Sequence, residues 1–258
     1  MDTNTIDTNT KLYVRHQEGK DIHLIWLPGF MSTCHSIKVD SIFEFANQNN
    51  YSCTSFDYSG HGKSLNHVKE CTISLWIDEI QSVFQHYVKG KTILIGSSMG
   101  GWLGLNYLLN HQKMKQDSYS IDGLILIAPA VNMTKTIKEK IKNTNYEEEL
   151  QLKGYFERPS EYISEPFIIS KTLLDSGDQW LLPEGELDID IPVHILHGYK
   201  DIDVPITTSH KLAAQLTSAE LTTSYIYDGD HRLSRPQDIA ILHRVIDNMV
   251  NQSQKYQN

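Results

Sequence analysis

A chain of 258 residues with 40% hydrophobic content can bury a sizeable core. Its net charge is −9, from 23 basic and 32 acidic residues, without a basic patch, which argues against a nucleic-acid partner. No apolar run reaches the length of a transmembrane segment, and Cys34, Cys53 and Cys71 lack metal-ligand spacing, which reads as free thiols in a cytoplasmic protein.

In chain order, residues 1–10 are polar and acidic, with neither the apolar core of a secretory signal nor the arginines of a transit peptide. They are expected as a flexible tail ahead of a single domain over 11–258. Strands are predicted near 11–16, 23–27 and 53–57. Ile73, Trp76, Ile77, Ile80, Phe84, Tyr87 and Val88 recur at three- and four-residue spacing, which predicts an amphipathic helix over 72–88. Thr92-Ile93-Leu94-Ile95 reads as a strand, and a helical pattern runs from Trp102 to Leu109. The continuous apolar run Leu124-Ile125-Leu126-Ile127-Ala128 predicts a fully buried strand. Further strands are expected at 193–196 and 223–227, and a closing helix at 239–250, entered through Pro236. This alternation implies an α/β class with a mainly parallel sheet covered on both faces.

One segment breaks the rhythm. From about 131 to 186 the chain is first charge-rich, then aromatic, with Tyr155, Phe156, Tyr162, Phe167 and Trp180. It follows a strand end, so it is expected as a lid or cap insert, with Phe167, Ile168 and Trp180 as candidate substrate-binding residues. Peripheral helical decoration is the alternative.

Chemistry concentrates at Gly96-Ser97-Ser98-Met99-Gly100. A strand, Gly-x-Ser-x-Gly and a helix in succession form a nucleophile elbow, with Ser98 at the strained apex and glycines giving room beside it. A serine hydroxyl needs a base, and the base an orienting acid. Asp201 and His231 follow in that order, each just past a predicted strand end, and strand ends of a parallel sheet share one edge. Ser97 is out of frame with the glycines. Asp203 is the rival acid, farther from its strand end, and His61 and His197 are rival bases that precede the acid. The Met99 N–H, and the Phe30 N–H in the loop after the strand at 23–27, are the candidate oxyanion donors.

Leu27-Pro28-Gly29-Phe30, Phe56-Asp57-Tyr58-Ser59-Gly60-His61-Gly62-Lys63-Ser64, the elbow, His197-Gly198-Tyr199-Lys200-Asp201 and Gly229-Asp230-His231-Arg232-Leu233-Ser234 together resemble the α/β-hydrolase superfamily over nearly the whole chain. The run Gly96 to Trp102, Phe167-Ile168-Ile169-Ser170-Lys171 and Asp-His-Arg around His231 are more closely similar to the mitochondrial α/β-hydrolase-domain acyl-protein thioesterases (depalmitoylases, also acyl-glucuronide esterases) and their bacterial relatives. Many superfamily members read His-Gly where this chain reads Pro28-Gly29. That departure leaves the chemistry open, because the donor there is a backbone N–H.

The resulting expectation is a serine esterase or thioesterase working through an acyl-enzyme, with an apolar acyl pocket. It requires no metal or organic cofactor and acts on a small-molecule or acylated-protein substrate. A carbon–carbon bond hydrolase, a carboxylesterase for small esters, and a non-catalytic binding protein on the same fold are the alternatives. Oligomeric state is not legible.

Overall fold

Among the described residues, eight strands form one sheet. The structure, a computed structural model, describes residues 2–7, 11–64, 66–111, 119–160, 166–218 and 220–255. The chain runs β1 (Asp2–Asp7), β2 (Lys11–Gln17), β3 (Ile22–Leu27), α1 (Ile37–Gln48), β4 (Ser52–Phe56), α2 (Ile73–Tyr87), β5 (Gly90–Ser97), α3 (Met99–His111) and β6 (Tyr119–Ile127). Next come α4 (Met133–Ile141), α5 (Asn145–Lys153), β7 (Tyr155–Arg158), β8 (Phe167–Ser170) and α6 (Lys171–Ser176). The last part holds β9 (Leu187–Ile189), β10 (Val193–Gly198), α7 (Ile206–Gln215), β11 (Leu216–Ser218), β12 (Leu221–Ile226) and α8 (Pro236–Lys255).

The central strands are buried on both faces, and alternation decides which core each residue joins. Ile25, Leu27, Leu94, Leu124 and Leu126 face the core that includes Trp76 and Ile80 of α2 and Trp102 of α3. Leu24, Trp26, Ile93, Ile95, Ile125 and Ile127 face the opposite core, shared with Val39 and Phe43 of α1 and Ile246 of α8. Helix starts are fixed by side-chain caps: Ser36 accepts from Val39 N before α1, and Thr72 from Leu75 N before α2.

The sheet order is β1-β2-β4-β3-β5-β6-β10-β12; along it the pairings from β4 to β12 are parallel, whereas β1–β2 and β2–β4 are antiparallel. The strand order reverses at β3, which has β4 on one side and β5 on the other. Ligand sites of open α/β sheets lie beyond the carboxyl ends of strands at such a reversal. The loops after β3 and β5, those of Phe30 and Ser98, flank this one.

One expectation needs correction. Residues 2–7, read as part of a tail, pair in antiparallel register with β2 from Asp2↔His16 to Asp7↔Lys11. Thr3, Thr5 and Ile6 favour strand, and β2 would otherwise be the open edge. The segment 131–186, expected as a lid or cap insert, includes an antiparallel β7–β8 hairpin. Ile141, Phe156, Ile169 and Leu174 form a small core of their own there. Tyr162 lies outside the described residues. Among the described residues no helix is long and apolar enough to cross a membrane.

Candidate active site

Ser98 sits between β5 and α3 with φ 53°, the left-handed region that a non-glycine residue occupies at a cost of about 1–3 kcal/mol. Its neighbours over-determine that conformation. Ser98 N donates to Ile127 O at 2.8 Å, and Ser98 O accepts from Gly101 N and Ala130 N, each at 3.0 Å. The flanking glycines are required by contact. A Cβ on Gly96 would lie 2.5 Å from Gly100 O, and one on Gly100 would lie 2.1 Å from Leu27 O. The tight turn thus presses the first turn of α3 against the end of β3.

Asp201 follows β10, and its side chain is fully buried. Its Oδ1 accepts from Asp203 N at 2.9 Å and Val204 N at 2.8 Å. Its Oδ2 accepts from His231 Nδ1 at 2.7 Å and from His197 Nε2 at 3.0 Å. Burial pushes the Asp201 carboxyl up, but the hydrogen bonds from His197 and His231 and the nearby imidazole charge outweigh it and hold the group well below the usual carboxylate range. His231 Nε2 lies 3.1 Å from Ser98 Oγ. With Nδ1–H donating to a carboxylate, Nε2 is left as the acceptor facing the serine hydroxyl. The structure therefore brings Ser98, His231 and Asp201 into one hydrogen-bonded chain, and Asp203 contributes a backbone N–H to it.

The rival histidines are accounted for by their partners. His197 Nε2 also contacts Val204 O at 3.1 Å; both of its partners are acceptors, so Nε2 carries the proton and Nδ1 accepts from Ser209 Oγ at 2.7 Å. His61 is buried among Phe30, Tyr58 and Trp76, and burial lowers its pKa to about 4.

Gly29 brings the loop after β3 against the nucleophile; a Cβ there would stand 3.3 Å from Ser98 Cβ. Neither the Phe30 nor the Met99 N–H has a backbone carbonyl partner among the described residues. The loop is anchored at its far end by Asp57, 1% exposed, whose Oδ1 accepts from Cys34 N at 2.7 Å and whose Oδ2 accepts from Lys63 N at 2.8 Å.

A cavity of about 370 Å³ opens onto Ser98 and His231, lined on the insert side by Met133, Ile137, Phe167 and Ile169. Of the three candidate substrate contacts, Phe167 lines it. Ile168 and Trp180 are not among its lining residues. Alternation along β8 puts Phe167 and Ile169 on one face and Ile168 on the other. The indole N–H of Trp180 is instead satisfied by Ser74 Oγ of α2 at 2.9 Å. Phe167-Ile168-Ile169 is apolar throughout, so the sequence alone does not single out Ile169. Sequence reasoning also missed Lys38, whose Nζ donates to Arg232 O and ties α1 to the loop carrying His231.

Asp201, Asp203 and His231 offer atoms within 4.8 Å of one another, as a metal set would. The Asp201 and His231 atoms are already joined by a hydrogen bond, so this cluster manages a proton.

Residues 21–152, just over half of the chain, match the family model described as serine aminopeptidase, S33. The chain is 29% identical over 240 residues to mouse "Palmitoyl-protein thioesterase ABHD10, mitochondrial", covering 93% of this chain and 78% of that one. Among solved structures, a putative hydrolase from Agrobacterium vitis S4 matches with a TM-score of 0.91 and 34% identity, over 96% of this chain and 98% of that one. The alpha/beta hydrolase domain-containing protein 10 from mouse matches with a TM-score of 0.85 and 27% identity, over 98% and 99%.

Proposed function

Because the chain belongs to the serine aminopeptidase, S33 family of α/β-hydrolase-fold hydrolases, we propose that it cleaves carboxylic ester or thioester bonds through an acyl-enzyme on Ser98. The observation that carries this reading is the chain Asp201 Oδ2, His231 Nδ1 at 2.7 Å, His231 Nε2 and Ser98 Oγ at 3.1 Å.

His231 takes the Ser98 proton as Oγ attacks the acyl carbonyl. Asp201 holds the ring in the required tautomer and stabilises the imidazolium. The Phe30 and Met99 N–H groups stabilise the oxyanion, a role supported by their having no backbone carbonyl partner among the described residues. His231 then gives its proton to the leaving alcohol or thiol, and deprotonates the water that cleaves the acyl-enzyme.

The segment 131–186 acts as a lid that shapes an acyl pocket, supported by the apolar wall of Met133, Ile137, Phe167 and Ile169. The thioesterase relative's printed name supports an acylated substrate, small molecule or protein. A cytoplasmic location belongs to the same reading and is supported by three free cysteines, all buried; the relatives are named mitochondrial, and fractionation of the tagged chain decides between them.

A fluorophosphonate probe tests the reading. Wild type is expected to be labelled and Ser98→Ala to remain unlabelled. Absence of labelling in folded wild type would favour a binding protein on this fold.

A further inference from the structure

Met133, Ile137 and Lys140 of α4 all line the cavity. Their spacing of four and three residues puts them on one helical face. The helix begins close to the nucleophile, since Ala130 N donates to Ser98 O at 3.0 Å. Lys140 lies two turns beyond Met133, about 10 Å farther along the axis at ~1.5 Å per residue. The cavity thus runs from Ser98 along α4 and reaches a cation.

Three further cations, Lys38, Arg158 and Arg232, line the same space. Arg158 is the last paired residue of β7, opposite Phe167 of β8. Its guanidinium carbon lies 5.5 Å from the Phe167 ring centroid, and its Nε is buried with no hydrogen-bond partner among the described residues. Neither Arg158 nor Lys140 has a carboxylate partner among the described residues. Among the described residues the lining holds a single carboxylate, Asp203, whose N–H donates to Asp201. A purely hydrocarbon chain would leave the buried Arg158 Nε–H without an acceptor, which is costly.

We infer that the pocket takes acyl groups ending in a carboxylate, the half-esters or half-thioesters of medium-length dicarboxylic acids. Arg158 grips the terminal carboxylate through its planar fork, and Lys140 supplies a second charged donor. The apolar wall between Ser98 and the cations covers the methylene spacer. This rests on the acyl-hydrolase reading of the site and specifies the far end of the substrate.

Wild type, Arg158→Gln and Lys140→Gln are compared on 4-nitrophenyl octanoate and mono-4-nitrophenyl suberate, which share chain length and leaving group. The octanoyl ester of 4-hydroxybenzoate moves the negative charge to the leaving group. Arg158→Gln is expected to lower kcat/KM on the suberate ester by about tenfold or more, mainly through KM, with octanoate changed by less than about twofold. Lys140→Gln, at an exposed position, is expected to act in the same direction and serves if the hairpin variant fails to fold. Equal losses on suberate and octanoate esters, or a loss confined to the hydroxybenzoate ester, would overturn the inference. Calorimetric titration with suberic acid monoamide and with octanamide adds a readout independent of turnover. The monoamide is expected to bind wild type about tenfold more tightly and to lose that margin in the variants. Selective binding without hydrolysis of any ester removes the hydrolase reading and leaves the anion site standing; hydrolysis of octanoate without any selectivity does the reverse.

Discussion

His197 and His231 donate to the same oxygen of Asp201, at 3.0 Å and 2.7 Å. The first bond fixes the carboxylate, and the second orients the ring that faces Ser98 and stabilises its charged form. Removing the first leaves Asp201 buried with one donor fewer at Oδ2. His197→Phe is expected to lower kcat about tenfold or more and to cost about 1–3 kcal/mol of stability. Ester hydrolysis and urea unfolding of the same preparation check both.

Stability is expected to fall towards acid in two stages. His61 has a folded pKa of about 4, below the ordinary histidine value, because burial disfavours its charged form. The unfolded chain therefore gains a proton at this site first, and stability present at neutral pH is lost between about pH 6.5 and 4. Asp201 is also depressed, so its contribution is present above about pH 4, the unfolded carboxylate value, and is lost below that as pH falls towards its folded pKa. His61→Phe, which keeps an aromatic ring among Phe30, Tyr58 and Trp76, is expected to make the upper stage shallower and to leave the part owed to His23, whose pKa burial lowers to about 3. Asp201→Asn is expected to flatten the lower one. Unfolding free energy measured from pH 7 to 3 reads both slopes.

Backbone strain at Ser98 predicts a stability–activity trade. Ser98→Gly relieves the positive φ and is expected to stabilise the fold by about 1 kcal/mol while abolishing turnover. Ser98→Ala keeps the strain, so it should lose activity by about 10⁴-fold or more with little change in melting temperature. Calorimetric melting of the two variants separates strain from lost chemistry.

Neighbouring residues of β8 should differ in what they control. Ile169, 2% exposed and lining the cavity, is expected to lose about 2–4 kcal/mol of stability on change to Ala and to shift the acyl-length profile towards longer chains. Ile168→Ala is expected to leave that profile unchanged. An ester series of increasing length, assayed on both variants, makes the comparison.

The parts of the site that local sequence encodes are legible; those that depend on convergence are not. Gly-x-Ser-x-Gly between a strand and a helix carries its own geometry, so the position of Ser98 follows from a few residues. Asp201 and His231 are legible through strand order, because parallel strands deliver their ends to one edge. His197 reads only as a histidine in a glycine turn; its role emerges when the loop at 201–204 folds back over it. The β7 and β8 strands are four residues each, too short for periodicity to register against charged surroundings. Trp180 misleads because its ring suits an acyl pocket, whereas its N–H finds Ser74. Helix α1 goes unread although Val39, Ile42, Phe43 and Ala46 keep helical spacing behind the Ser36 cap.

Rapid acid quench of the enzyme with 4-nitrophenyl octanoate, followed by mass spectrometry of its peptides, examines the nucleophile itself. An octanoyl adduct on the peptide containing Ser98, formed at the rate of the nitrophenol burst and slowed about 10⁴-fold by Asp201→Asn, is the expected result. Burst kinetics with the acyl group on another residue, or an unchanged burst in Ser98→Ala, would contradict it.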